Sequence, residues 1–179
     1  MDHMRLVRST RSSLMSQSSP TLHMLCGKIA AGKSTLASRL AGSERTVLIA
    51  EDDWLDALFS DQMATIADYV RCSGKLRAVM GPHVSALLEA GTSVVLDFPA
   101  NTVGNRDWMR GILEASGAAH QLHVLTVPDE VCLARLARRN AGGDHPFAVT
   151  EEQFHRMSRY YVEPTAGEGF NIVSHGNPG

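Results

Sequence analysis

The feature that most constrains this chain is one short run, Gly27-Lys28-Ile29-Ala30-Ala31-Gly32-Lys33-Ser34, of the form G-x-x-x-x-G-K-[ST]. It follows the mostly apolar stretch from Thr21 to Cys26 and opens a segment with helical periodicity, in which Leu36 and Leu40 share a face. Glycine at positions 27 and 32 permits torsions and close approaches that a side chain would block. Successive peptide N–H groups can then surround phosphates at the positive end of the following helix. In such a loop Lys33 reaches toward the β- and γ-phosphates, and Ser34 offers its hydroxyl to Mg²⁺. Thr35 is expected near the α-phosphate. A glycine-rich turn with an incidental lysine would not need the strand before it and the helix after it. The expected cofactors are ATP and Mg²⁺, with residues 27 to 35 holding the nucleotide.

The rest of the chain alternates strand and helix. Thr46–Ala50 reads as a second strand, Thr92–Asp97 as a third, His120–Val127 as a fourth and Phe170–Ser174 as a fifth. Between them come an acidic turn, Glu51-Asp52-Asp53, leading into a helix from Trp54, and a helical stretch over 61–90. Gly81-Pro82 should split that stretch in two, because proline suits the first turn of a new helix better than the middle of an old one. Further helices are expected over 104–116 and 129–140. Gly142 and Gly143 should end the latter, whose stripe is Leu133, Leu136 and Ala137. Thr150 and Gln153 form a capping box for a last helix carrying Phe154, Met157 and Tyr161 inward. Alternating strands and helices imply an α/β fold, a parallel sheet covered on both faces.

Composition narrows the function classes. Acidic residues number 19 and basic residues 17, a net charge of −2, so long-range attraction to nucleic acid or an anionic membrane is weak. No apolar run approaches the roughly 18 residues of a membrane span. Cys26, Cys72 and Cys132 are odd in number and lack a CxxC spacing, which suits reduced, buried thiols in a cytoplasmic protein. Residues 1–20 are rich in arginine and serine and have no apolar core, so a disordered tail is expected there, with a transit peptide as the alternative. The folded domain is expected over 21–179. None of the eight histidines pairs at H-x-x-x-H spacing, so no histidine metal site is expected.

Several other residues could carry chemistry. Ligands of parallel sheets gather at the carboxyl ends of strands, where Glu51, Asp52 and Asp53 lie. One of them could simply cap the next helix. Val94-Val-Leu-Asp97 is an apolar run with a terminal aspartate, able to hold Mg²⁺ through water or to meet an acceptor. Asn101, Thr102 and Arg106 follow at the same sheet edge as candidate substrate contacts, with turn formation and capping as the alternative. Trp54 could offer an apolar surface to a substrate or serve as a core aromatic. Arg135 is three and four residues from Arg138 and Arg139, a spacing that repels unless an anion sits among the charges.

Taken in order, the phosphate loop, the acids after strand two, the aspartate of strand three and the arginine-bearing helix before a glycine-containing lid resemble one kinase group. It is the small phosphate-loop kinases that include chloramphenicol phosphotransferase, zeta-toxin-like kinases and polynucleotide kinase. The resemblance covers about residues 21–174. It implies a five-stranded sheet of order 2-3-1-4-5 with a small lid. It also implies transfer of the γ-phosphoryl group of ATP to a hydroxyl. Asp52 matches the family's proton acceptor by its count from the strand, with Asp53 as rival. Arg135 and Arg139 match the lid arginines that neutralise the group in flight, and Gly142 and Gly143 would hinge the lid. Polynucleotide and zeta-type members often read Asp-x-x-Arg here, whereas this chain has Leu55 in place of the arginine. That departure argues against a 5′-phosphorylated or nucleotide-sugar acceptor, and Trp54 suggests instead a neutral or cationic small molecule with apolar surface. A nucleic-acid 5′-hydroxyl, or a non-catalytic ATP-binding role, is the alternative.

Overall fold

A computed structural model describes residues 19–142 and 149–176. Residues 1–18 of the expected tail and Gly143, expected as a lid hinge, lie outside the described residues. The strands are β1 (Thr21–Cys26), β2 (Thr46–Ala50), β3 (Ser93–Pro99), β4 (Ala119–Leu125) and β5 (Ile172–His175). The helices are α1 (Lys33–Ala41), α2 (Glu51–Phe59), α3 (Ile66–Glu89), α4 (Val103–Ser116), α5 (Asp129–Gly142) and α6 (Glu151–Ser158). The strands form one parallel sheet in the order β2-β3-β1-β4-β5. With β1 third of five, the loop that leaves its carboxyl end sits at the middle of the sheet edge.

Alternating side chains divide the core into two layers. Leu22, Met24, Leu96, Phe98 and Leu122 face one way and pack on Leu76, Met80 and Val84 of α3 and on Met109 and Ile112 of α4. Leu25, Val95 and Leu125 face the other way and pack on Leu36 and Ala37 of α1, Cys132 and Leu136 of α5 and Phe154 of α6. All three cysteines are buried thiols.

Three local expectations are corrected. Helix α3 is unbroken from Ile66 to Glu89 and carries Pro82 inside it. Proline removes one helical hydrogen bond and crowds the carbonyl four residues back, Ala78. Packing overrides this, because Met80, Gly81, Val84 and Ser85 are all buried on that turn. Gly81 admits the indole of Trp108 from α4; a Cβ there would lie 3.3 Å from its Nε1. Second, α2 begins at Glu51, directly after β2, so the three acids form its first turn rather than a preceding loop. Acids there are stabilised by the peptide dipoles at the helix start. Third, the inward residue of α6 is Phe154, while Met157 is 48% exposed; on α5, Cys132 and Leu136 are buried and Ala137 is exposed.

Strand β3 also runs two residues past Asp97. Its pairing with β1 goes from Met24↔Leu96 straight to Leu25↔Pro99, so Asp97 and Phe98 are passed over in a bulge. Bulges re-aim side chains at strand ends.

Three histidines form a row across neighbouring strands on the α1 side. His23 Nδ1 lies 3.1 Å from His123 Nε2, and His123 Nδ1 lies 2.9 Å from His175 Nε2. His123 is only 3% exposed. Burial first, and then its two neighbours, lower its pKa to about 4.

Candidate active site

The phosphate loop is shaped by its glycines. A Cβ on Gly27 would lie 3.1 Å from the Leu125 carbonyl oxygen and 3.2 Å from its Cβ, so β4 leaves no room for a side chain. Gly32 has φ +101° and serves as N-cap of α1, a conformation that favours glycine. Between them Ala30 holds φ +59°, a left-handed backbone that costs a non-glycine residue roughly 1–2 kcal/mol. Lys33 Nζ donates to the carbonyls of Gly27 at 2.8 Å and Lys28 at 2.9 Å. Burial lowers its pKa, opposed first by Asp97 and also by Asp52.

Helix α5 is docked on this loop. Lys28 forms an ion pair with Asp129 in its first turn. Arg135 Nη1 donates to the Ala31 carbonyl at 3.3 Å. Arg139 sits one turn further on. Its Nε is buried with no hydrogen-bond partner, and burial lowers its pKa against the pull of Asp52.

Opposite these cations stand the carboxylates. Loop, acids and arginines line one cleft of about 1080 Å³ at the carboxyl edge of the sheet. Asp97 is raised in pKa by burial and by Asp52 and Asp53, while the Ser34 hydroxyl and Lys33 pull it back. Asp52 and Asp53 both line the cleft, but their reach differs. Asp52 acts on Lys33, Asp97 and Arg139; Asp53 acts on Asp97.

Glu51 borders the same cleft but is only 2% exposed, its carboxylate held by partly buried partners. Arg77 donates to its Oε1 through Nε at 3.2 Å and Nη2 at 3.0 Å, and the Tyr69 hydroxyl donates to its Oε2 at 2.9 Å. Burial raises the Glu51 pKa against both partners. Tyr69 and Arg77 were not expected at the site from sequence. They are 18 and 26 residues from Glu51, and no spacing rule joins them.

Four expected substrate contacts have other partners or places. Arg106 is fully buried. It pairs with Glu168 through Nε at 2.6 Å and Nη2 at 3.0 Å, and its Nη1 donates to the carbonyls of Ala100 and Val162, each at 2.9 Å. Its guanidinium therefore braces the chain instead of facing the cleft. The carboxamide of Asn101 borders the cleft but is bonded to Gly27 at both ends. Thr102 caps α4, its hydroxyl accepting from the Asn105 N–H. Trp54 is neither in the core nor among the residues that line the cleft; it is 40% exposed.

The residues present fit a magnesium nucleotide. The loop N–H groups and the unpartnered Arg139 Nε suit phosphate oxygens. Ser34 and Asp97, near enough that the hydroxyl lowers the carboxyl's pKa, are hard oxygen donors of the kind Mg²⁺ takes alongside water and phosphate. Among the described residues, no group of three or more His, Cys, Asp or Glu could hold a metal ion. Nor is any helix there long and apolar enough to cross a membrane.

Solved structures share this architecture. A proposed kinase from Chloroflexus aurantiacus j-10-fl is 18% identical with a TM-score of 0.69, over 88% of this chain and 85% of that one. A chain of the Pnkp1/Rnl/Hen1 RNA repair complex is 22% identical with a TM-score of 0.60, over 79% of this chain and 43% of that one. The Mycobacterium tuberculosis APS kinase CysC, in complex with AMPPNP and APS, is 17% identical with a TM-score of 0.55, over 87% and 88%. No curated protein matches the sequence. The fold is thus the one these chains share. The sequence model described as an AAA domain matches residues 22–164, and the chain belongs to that family.

Proposed function

We propose that this protein is an ATP-dependent kinase that transfers the γ-phosphoryl group to a hydroxyl of a small molecule. The observation that carries the reading is the placement of Asp52. It lines one cleft with Lys33, Asp97 and Arg139 and interacts electrostatically with all three, which supports a carboxylate at the approach of the acceptor. The phosphate loop and Lys33 hold the triphosphate. Asp52 orients the acceptor hydroxyl and takes its proton as the new O–P bond forms and the bond to the β-phosphate oxygen breaks. Arg135 and Arg139 gather the charge on the transferred group. Mg²⁺, when bound, supplies further neutralisation beside Ser34 and Asp97. Positioning and charge stabilisation provide most of the rate in such a reaction.

The acids Asp52, Asp53 and Asp97 along the cleft favour an uncharged or cationic acceptor over a polyanion. The likeness to a chain of an RNA repair complex still earns oligonucleotides a place in the assay. The test is γ-labelled ATP with a panel of amino-alcohols, sugars, nucleosides and 5′-hydroxyl oligonucleotides. Label should move to a small hydroxyl compound with the wild type and not with Asp52→Asn. ATP binding without transfer to any class would support a non-catalytic module instead.

A further inference from the structure

We propose that Arg77 is a positioning residue for the proposed base: by holding Glu51 it fixes the rotation of the first turn of α2, and so sets Asp52 against the end of β3. This rests on the reading of Asp52 given above.

The pairing of β2 with β3 sets Ala50 beside Asp97, and α2 leaves directly from that point. Ala50 is the N-cap, and no side-chain hydrogen bond caps the helix. Leu55, one turn on, is buried, but apolar burial has no direction and tolerates some rotation about the helix axis. Glu51 removes that freedom. Arg77 holds its Oε1 through Nε and Nη2, and the Tyr69 hydroxyl holds its Oε2. Arg77 is itself fixed. Its Nη1 donates to Asn105 Oδ1 at 2.8 Å, and its guanidinium lies 5.6 Å from the centre of the Trp108 ring. Asn105 Nδ2 in turn donates to the Pro99 carbonyl at 2.7 Å, while its N–H donates to the Thr102 hydroxyl. The series of bonds thus runs from the residue before Asp52, through α3 and α4, to the second residue after Asp97.

Stability is a poor account of this pair. Taking two charges out of water is costly, and apolar side chains of similar volume are often at least as stable in such places. Burial pushes the Glu51 pKa up against both partners, so the cost is felt here. What hydrogen bonds give, and apolar packing does not, is a defined direction. Direction matters because Asp52 acts at once on Lys33 of α1, Asp97 of β3 and Arg139 of α5. A rotation of about 20° at the start of α2 would move a carboxylate on its surface by about 2 Å. Misplacement by about 1 Å can cost about a hundredfold in rate.

Three readouts test this. The first is transfer of label from γ-labelled Mg·ATP to water and to the panel of amino-alcohols, sugars, nucleosides and 5′-hydroxyl oligonucleotides, with enzyme in excess so that slow transfer is counted. The others are calorimetric titration with Mg·ATP and the melting temperature. Arg77→Met should slow transfer about 10–100-fold and leave Mg·ATP affinity unchanged. In an Asp52→Asn background it should slow transfer no further, because it acts through Asp52. Glu51→Gln keeps the shape and the oxygen that accepts from Arg77, and should transfer at close to the wild-type rate. If Arg77→Met alone does not fold, Glu51→Gln combined with Arg77→Met leaves no unpaired buried charge and carries the same expectations. A pair that only stabilises the fold would lower the melting temperature and leave transfer, measured well below it, unchanged. A guanidinium that meets the acceptor would slow transfer equally with and without Asp52. A Glu51→Gln rate as low as that of Arg77→Met would make charge, not direction, the cause. Any of these results overturns the proposal. No transfer by wild type overturns the kinase reading, and transfer that Asp52→Asn leaves unchanged overturns the reading of Asp52; this inference falls with either. Wild-type transfer that needs Asp52 but not Arg77 removes this inference alone.

Discussion

The two halves of the cleft are built by different means. The nucleotide half is backbone: peptide groups from Gly27 to Ser34, shaped by two glycines and anchored by the strand before and the helix after. The half proposed for the acceptor is side chains carried to one place by β2, β3 and α2. A backbone cradle depends on local spacing, so its sequence pattern is nearly its structure. A side-chain pocket depends on which faces the folded elements present, and that is settled by packing many residues away. One chemistry, phosphate binding, is therefore written in eight consecutive letters. The other is distributed.

The sharpest way to separate the halves is Asp52→Asn. The substitution keeps the shape and removes the proton acceptor. Mg·ATP affinity should change little, because the loop and Lys33 carry it. The phosphoryl-transfer rate should fall by roughly 10²–10⁴, the usual share of general-base catalysis. A comparable loss of ATP affinity would show that the two halves are one functional unit.

Arg106→Ala comes next in size and tests the fold beneath both halves. The side chain is a fully buried cation holding Glu168 and two carbonyls. Removing one partner of a buried pair typically costs about 3–5 kcal/mol. At this chain length that is a fall of about 10 °C in melting temperature. An Arg106→Ala variant with wild-type stability and a raised acceptor KM would restore the substrate role expected from sequence.

That contrast shows what could be read in advance. Strand and helix alternation led to the parallel sheet, because hydrophobic periodicity survives folding, whereas its order came from the family resemblance. Arg106 and Asn101 sit at the expected sheet edge, yet their partners, Glu168 and Gly27, lie 62 and 74 residues away, and no spacing rule joins them. Pro82 misled because its local cost is real, and only the packing of α3 against Trp108 outweighs it. Glu51 and Asp52 are neighbours in sequence and both border the cleft, but about 100° of helical turn leaves one buried against Arg77 and Tyr69 and the other exposed. Taking the acids for a turn hid that division.

Acid tests a third region, the histidine row. His123 has a pKa lowered to about 4 in the folded chain, against an ordinary 6.5. Between those values the unfolded chain binds the proton and the folded chain does not, so stability is full above about pH 6.5 and falls as the pH drops toward 4. His23 and His120 are lowered as well, with the same sign. Glu51 and Asp97, whose pKa values are raised by burial, act in the opposite sense and favour the folded state at low pH. Melting temperature should therefore fall by several degrees from pH 7 to pH 5, and His123→Asn should flatten that slope. An equal slope in the variant would place the acid sensitivity elsewhere.

The smallest expected effect lies in the residue beside the proposed base. Asp53 is exposed on the first turn of α2, and no hydrogen bond from its side chain caps the helix. Its stabilising role is the attraction between a carboxylate and the positive helix end, worth about 0.3–1 kcal/mol. Asp53→Asn should lower the melting temperature by about 1–3 °C and leave the transfer rate within a few-fold of wild type. The reasoning is electrostatic reach: Asp52 acts on Lys33 and Arg139 as well as Asp97, whereas Asp53 acts on Asp97. A group that takes the acceptor proton must stand where the charges of the transferred phosphoryl group are gathered. If Asp53→Asn abolishes transfer while Asp52→Asn remains active, the roles are exchanged, and the acceptor must enter along the outer side of α2. If both variants stay near wild type, the proton passes to Asp97 or to the substrate, and the acceptor half lies deeper along β3.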